Sequence, residues 1–173
     1  MKKLLAAVAL ACAFQATPVP AHLNAMLESV QVSAASFGFA ADLKLARTEA
    51  IRRASRVVLC KSADGERCTA AGPWSQGWIA FDDADGNGVR GRGEKIFVRE
   101  RPFAATLRTV GSFNLVHAVA FGPTGAATLV GAATPTSALT ICRQTFERTE
   151  GTRVTLEAGK SPQLRSERHA ACA

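Results

Sequence analysis

Tyrosine is absent from this 173-residue chain, tryptophan and methionine occur twice each, and histidine three times. With Trp74 and Trp78 as the only indoles, both close to apolar residues, the chain has little to stack on unpaired bases, a mode that needs exposed rings along a basic groove. His22, His117 and His169 stand apart from any nucleophile motif. No Gly-x-Ser-x-Gly elbow, His-Glu-x-x-His pair or phosphate-cradling P-loop occurs. The sequence therefore predicts neither an enzyme nor a small-molecule substrate. No pair of cysteines has Cys-x-x-Cys spacing, which removes the usual zinc frameworks. A low-complexity tract is missing too: 47% apolar and 20% charged residues is a globular composition, and the length suits one domain with an appended element.

What is present begins with charge. The formal net charge is +7, which favours anionic partners, DNA and membrane surfaces among them. Met1-Lys2-Lys3 followed by apolar Leu4 to Phe14 and small residues around Val19-Pro20-Ala21 reads as a leader over residues 1–21, either an export signal or a shortened membrane anchor. Export implies an oxidising compartment. Besides Cys12 in the leader, Cys60, Cys68, Cys142 and Cys172 form an even set suited to two disulfides. Four cysteines allow three pairings; nearness in sequence favours Cys60 with Cys68, which leaves Cys142 with Cys172.

Residues 22–55 carry a helical period. Leu23, Met26, Leu27, Val30, Ala34 and Phe37, continued by Ala41 and Leu45, recur at steps of three and four and lay one apolar stripe along a helix. At about 1.5 Å per residue, some thirty residues make a rod of roughly 45 Å, which needs a sheet to lie on. Arg52 and Arg53 suit the negative pole at its end. From residue 56 the period becomes strand-like. Strands are predicted near Val57 to Leu59, Gly77 to Phe81, Lys95 to Arg99, Ala105 to Val110, Leu115 to Phe121, Ala126 to Val130, Ala138 to Cys142 and Arg153 to Leu156, with prolines between the runs. The fold class is α+β: a long N-terminal helix (22–55) packed on an antiparallel β domain (56–173). Trp74 and Trp78, beside Ile79 and Phe81, are assigned to the core.

Two clusters are candidate binding sites. Asp83, Asp85, Asn87 and Glu94 satisfy the calcium-loop pattern D-x-[DN]-x-[DN]-G-x5-E, in which alternate oxygens and a late glutamate wrap a hard cation. Flanking strands, and the nearby Arg90 and Arg92, favour instead a turn whose side chains bond their own backbone. Lys160, Arg165 and Arg168 lie among basic residues concentrated near the C-terminus. They would meet phosphates in a salt-dependent, sequence-independent way if DNA were bound, and otherwise form a solvated basic face.

One ordered string crosses from the helix into the β domain: Asp42-Leu43-Lys44-Leu45-Ala46-Arg47-Thr48-Glu49-Ala50-Ile51-Arg52-Arg53, then Val57-Val58-Leu59-Cys60, Cys68, and Trp74-Ser75-Gln76-Gly77-Trp78-Ile79-Ala80-Phe81-Asp82. It resembles the GspH/FimT family of pseudopilins. In that family a helix ending in such a segment runs into a strand closing on cysteine, a short disulfide loop and a Trp-rich strand. The resemblance implies a structural subunit of a type IV pilus or type II secretion pseudopilus in the bacterial cell envelope. Other pilins or pseudopilins would be its partners, the inner membrane its anchor, and no cofactor would be needed. It also implies the pairs Cys60–Cys68 and Cys142–Cys172, and packing of the stem stripe against neighbouring stems. Some competence-linked members bind DNA through a C-terminal Gly-Arg-x-Arg segment; here Gly159-Lys160-Ser161-Pro162-Gln163-Leu164-Arg165 departs from it. The family's Gly-Phe-Thr-x-x-x-Glu processing site is also missing from the residues given.

Overall fold

The computed structural model describes residues 21–111, 117–130, 136–143, 149–157, 160 and 162–169. Helix α1 (Ala21–Arg53) runs for 33 residues, about 50 Å, because after Pro20 only Gly38 strongly opposes a run rich in alanine and leucine. It ends in a Schellman turn: Ser55 N–H donates to the Ala50 carbonyl (3.2 Å) and Ala54 N–H to that of Ile51 (3.2 Å). Ala54 takes a left-handed φ of 51° there, a position where glycine is the usual occupant.

The strands form two antiparallel sheets. The first has the order β3-β2-β1-β5-β6, with β1 Val57–Lys61, β2 Trp78–Asp82, β3 Ile96–Glu100, β5 Ala118–Phe121 and β6 Ala127–Val130. The second has the order β4-β7-β8-β9, with β4 Leu107–Gly111, β7 Thr136–Arg143, β8 Thr149–Glu157 and β9 Gln163–His169. The C-terminal part of α1 contacts strands of both sheets. One core therefore joins Phe39, Leu43, Ala46 and Ala50 of the helix to Leu59, Trp78 and Phe121 of the first sheet and to Leu139, Ile141 and Val154 of the second. β1 and β2 are buried on both faces, since Val58, Cys60, Ile79 and Phe81 form a second cluster with Cys68 and Ile96 on the side away from the helix. That explains why their text is a continuous apolar run instead of an alternation.

Two expectations need correction. The apolar stripe predicted to lie on the sheet does not. The helix residues that do are Val32, Ser36, Phe39, Ala40, Leu43, Ala46 and Ala50, a parallel stripe on the other side of the rod. The helix is apolar on two faces, and periodicity alone cannot say which one a sheet will cover. Strand β9 was also not predicted. Its residues are mostly polar, with Leu164 the apolar side chain that reaches the core, as expected of an edge strand that solvent bathes on one side. The strand predicted at Leu115 to Phe121 is seen from Ala118 onward, and residues 112–116 lie outside the described residues.

Candidate assembly interface

At 3.6 residues per turn, Val30, Phe37 and Ala41 fall about half a turn away from Phe39, Leu43 and Ala50. The sheet-facing side is closed, while the opposite side is open: Met26 is 62% exposed, Leu27 60%, Val30 61% and Phe37 64%. Leu23, Ala34, Ala41 and Leu45 are exposed on the same side. Val32 is the first buried side chain along the helix among those described, so the N-terminal third of the rod projects beyond the β domain. Contiguous large apolar side chains left in water mark a surface made to be covered.

The domain that presents this face is braced at three places. In the middle, Phe39 meets Trp74 and Trp78 edge-on, at centroid distances of 5.3 and 5.1 Å, and Phe103 closes on Trp78 at 5.4 Å. The indole N–H of Trp78 donates to Asp42 Oδ2 of the helix at 2.8 Å. Burial pushes the Asp42 carboxyl above the ordinary carboxylate range, the Trp78 hydrogen bond pulling the other way. Glu100, opposite Trp78 on β3, is raised by burial and by the charge of Asp42.

At the end of the helix, Glu49 accepts from Arg52 and Arg53, at 2.7 Å each, which holds its carboxyl down to about 2. Arg53 also reaches Asp82 at 3.5 Å and stacks over the Phe97 ring at 4.3 Å, tying helix, β2 and β3 together. Ser55 Oγ donates to the other Asp82 oxygen at 2.7 Å.

The third brace is the segment between β1 and β2. Cys60 and Cys68 are disulfide-bonded, closing an eight-residue separation. Beyond the bond, the buried Lys61 ammonium donates to the carbonyls of Ala70 and Gly72, both at 2.7 Å, and burial lowers its pKa. This satisfies a charge that could not otherwise be taken from water. Gly77 then passes so close to Glu100 that a Cβ would lie 2.5 Å from its carbonyl oxygen, at a φ of 107°. Only glycine can sit there between the two tryptophans. Cys142 is disulfide-bonded as well; Cys172 lies outside the described residues.

The candidate calcium residues come together in part. One oxygen each of Asp83, Asp85 and Glu94 lies within 4.8 Å of the others. Those carboxylates also accept hydrogen bonds from within the loop. Asp83, wholly buried, accepts from Gly88 N–H at 3.0 Å and faces Arg56 at 3.3 Å. Asp85 accepts from Asn87 N–H (3.1 Å) and side-chain amide (2.6 Å), and the Asn87 carbonyl from Val89 N–H at 2.6 Å. Glu94 accepts from Ala84 and Gly91 N–H at 3.1 and 2.7 Å. The loop is fastened by its own backbone, with Arg56 supplying the compensating charge.

The basic residues singled out near the C-terminus are spread over a turn and a strand. Lys160 pairs with Glu157 at 2.6 Å, while Arg165 and Arg168 lie on β9, opposite Arg153 and Glu150.

A helix with one face closed by two sheets and the other open, with a disulfide loop and a Trp-x-x-Gly-Trp turn below it, matches a known family. Residues 38–159 match the family described as type II transport protein GspH. The chain belongs to the GspH family. Solved structures share its fold. The type IV minor pilin FimU of Pseudomonas aeruginosa superposes with a TM-score of 0.59 at 22% identity, over 86% of this chain and 99% of that one. The minor pseudopilin EpsH from the type 2 secretion system of Vibrio cholerae superposes with a TM-score of 0.52 at 15% identity, over 80% and 97%. No curated protein matches in sequence. As a GspH-family member the chain is an exported, envelope-associated protein of the minor pilin and pseudopilin class, whose role is assembly.

Membership gives the parts their order. The family match takes in the sheet-facing half of α1, both Trp residues and the 60–68 disulfide, which are the parts that make the scaffold. The exposed N-terminal stem, up to Phe37, precedes it. Sequence reasoning overlooked Phe39 and the Asp42–Trp78 bond. The signal for the bond was present in the string itself, since an aspartate carboxylate and an indole N–H are both costly to bury unpaired. Among the described residues no helix is long and apolar enough to cross a membrane.

Proposed function

We propose that this chain enters a pilus or pseudopilus as a minor subunit by laying the outer face of α1, from Leu23 to Leu45, against the stem helices of neighbouring subunits. The β domain is then carried at the filament surface or tip, and the subunit works by packing, with no chemical step. One observation carries the reading: the helix keeps a second row of large apolar side chains in water along its length, opposite the row that builds its own core. Burying an apolar side chain is worth about 1.5–3 kcal/mol, so a face of six such residues represents a large reserve for association. The leader, residues 1–21, would supply the membrane attachment from which assembly starts.

Substitution of Val30 and Phe37 by glutamate tests this. In cells that build the filament, the double variant should export and fold with an unchanged melting temperature, yet be missing from sheared filaments and from cross-linked complexes with other pilins. Normal incorporation of a folded double variant would overturn the proposal.

A further inference from the structure

We infer that the C-terminal end of the stem carries a second, chemically distinct contact: a basic-rimmed apolar cleft between α1 and β3 that takes an acidic, apolar segment of a neighbouring subunit. The cleft, of about 330 Å³, is lined by Leu45, Glu49, Arg52 and Arg53 of the helix and by Lys95, Ile96 and Phe97 at the start of β3. Its floor is apolar, formed by Leu45 (41% exposed) and the half-buried Phe97, which packs against the helix-side core. Three cations and one carboxylate surround it.

The charges are unequally committed. Arg53 is consumed internally by Glu49, Asp82 and the Phe97 ring, and this holds the floor in place. Glu49 is turned onto the two arginines and, with its carboxyl held down to about 2, stays ionised without facing the opening alone. Arg52 shares Glu49 yet leaves 60% of its side chain in solvent, and the exposed Lys95 makes no ion pair among the described residues. The rim is therefore net positive over a greasy base, and the complement of that pattern is a carboxylate beside an aliphatic or aromatic side chain. Arginine and aromatic residues are also the types that concentrate binding energy at protein contacts.

Position selects the occupant. Leu45 belongs both to the cleft floor and to the outer stem face, so a subunit lying along the stem reaches the cleft without a break in the contact. This rests on the filament reading above and adds to it the chemistry of one partner segment.

The test uses the purified full chain and three labelled peptides followed by fluorescence anisotropy: one alternating glutamate with leucine, its twin with glutamine for glutamate, and its twin with lysine. The acidic peptide should bind at least about fivefold more tightly than the neutral one at about 0.02 M salt and lose most of that margin at about 0.3 M, as an exposed charge contact does. Lys95→Glu should weaken it about tenfold, while Arg101→Glu, past the far end of β3 and with the same change in net charge, should shift it less than about twofold. Equal binding of acidic and neutral peptides, equal effects of the two reversals, or no binding of the acidic peptide would each overturn the cleft. None of these touches the stem: incorporation lost through Val30 and Phe37 while the peptides fail would leave the filament reading intact and remove only the cleft.

Discussion

Phe37 and Phe39 stand two residues apart on one helix, are chemically identical, and meet opposite fates: one is 64% exposed and the other 1%. The same contrast runs along α1 from Val30 to Ala46, between Val30, Ala34 and Ala41 outside and Val32, Ser36, Leu43 and Ala46 inside. The inner row is built for close approach, with alanine and serine letting the rod settle onto two sheets and Phe39 set against Trp74 and Trp78. The outer row carries its large side chains, Met26, Leu27, Val30 and Phe37, toward the N-terminal part, with Ala34 between them and Ala41 beyond. It is apolar wherever the period allows, as suits a face whose partner is another helix. Apolarity decides that a residue will be covered; the shape of the neighbouring surface decides by what.

The largest expected effect that can break this comparison is at its centre. Phe39→Ala empties the space between two indoles and should destabilise the isolated protein by about 3–5 kcal/mol in chemical denaturation, whereas Phe37→Ala should stay within about 0.5 kcal/mol. Similar losses for both would mean that the outer face is part of the domain's own core.

A smaller effect concerns Asp42, the helix carboxylate that is bonded to a core tryptophan. Asp42→Leu leaves the Trp78 N–H buried and unpaired and should cost about 1–3 kcal/mol, with Asp42→Asn retaining most of the stability through its carbonyl oxygen. Because burial raises the folded pKa of Asp42 above its ordinary 3.8, the folded state holds the proton more tightly than the unfolded one. Its contribution is therefore fully present below that value and declines as pH rises through the folded pKa. Melting curves of the wild type should fall relative to Asp42→Asn as pH is raised from about 3.8; parallel curves would refute the burial.

The smallest effect lies where both faces end. Ala54→Gly removes the left-handed penalty at φ 51° and should raise stability by about 1 kcal/mol without altering either row. A loss of stability would show that Ala54 makes a contact worth more than its strain.

Much of the scaffold could be seen in the residue order, for a local reason. The string from Asp42 to Asp82 specifies a helix end, a strand, a cystine loop and a Trp-flanked glycine turn, each set by neighbours within a few positions. Predicted strands from Val57 to Val130 fall within about two residues of the observed ones wherever the structure describes them. β9 escaped because an edge strand with a single core side chain has no apolar alternation to display. The calcium pattern of Asp83, Asp85, Asn87 and Glu94 was visible, but not Arg56, which arrives from the end of the helix to face Asp83. The cleft at Arg52 and Lys95 has no signature at all, since its two walls are more than forty residues apart.

By itself the chain determined its period, its two apolar rows, its glycine turn and its short cystine loop, since these follow from φ/ψ preferences and from residues that are neighbours along the backbone. Only the tertiary structure decided which row would face inward, because that choice depends on where two sheets place Trp74, Trp78 and Leu139 against a rod that offers grease on both sides.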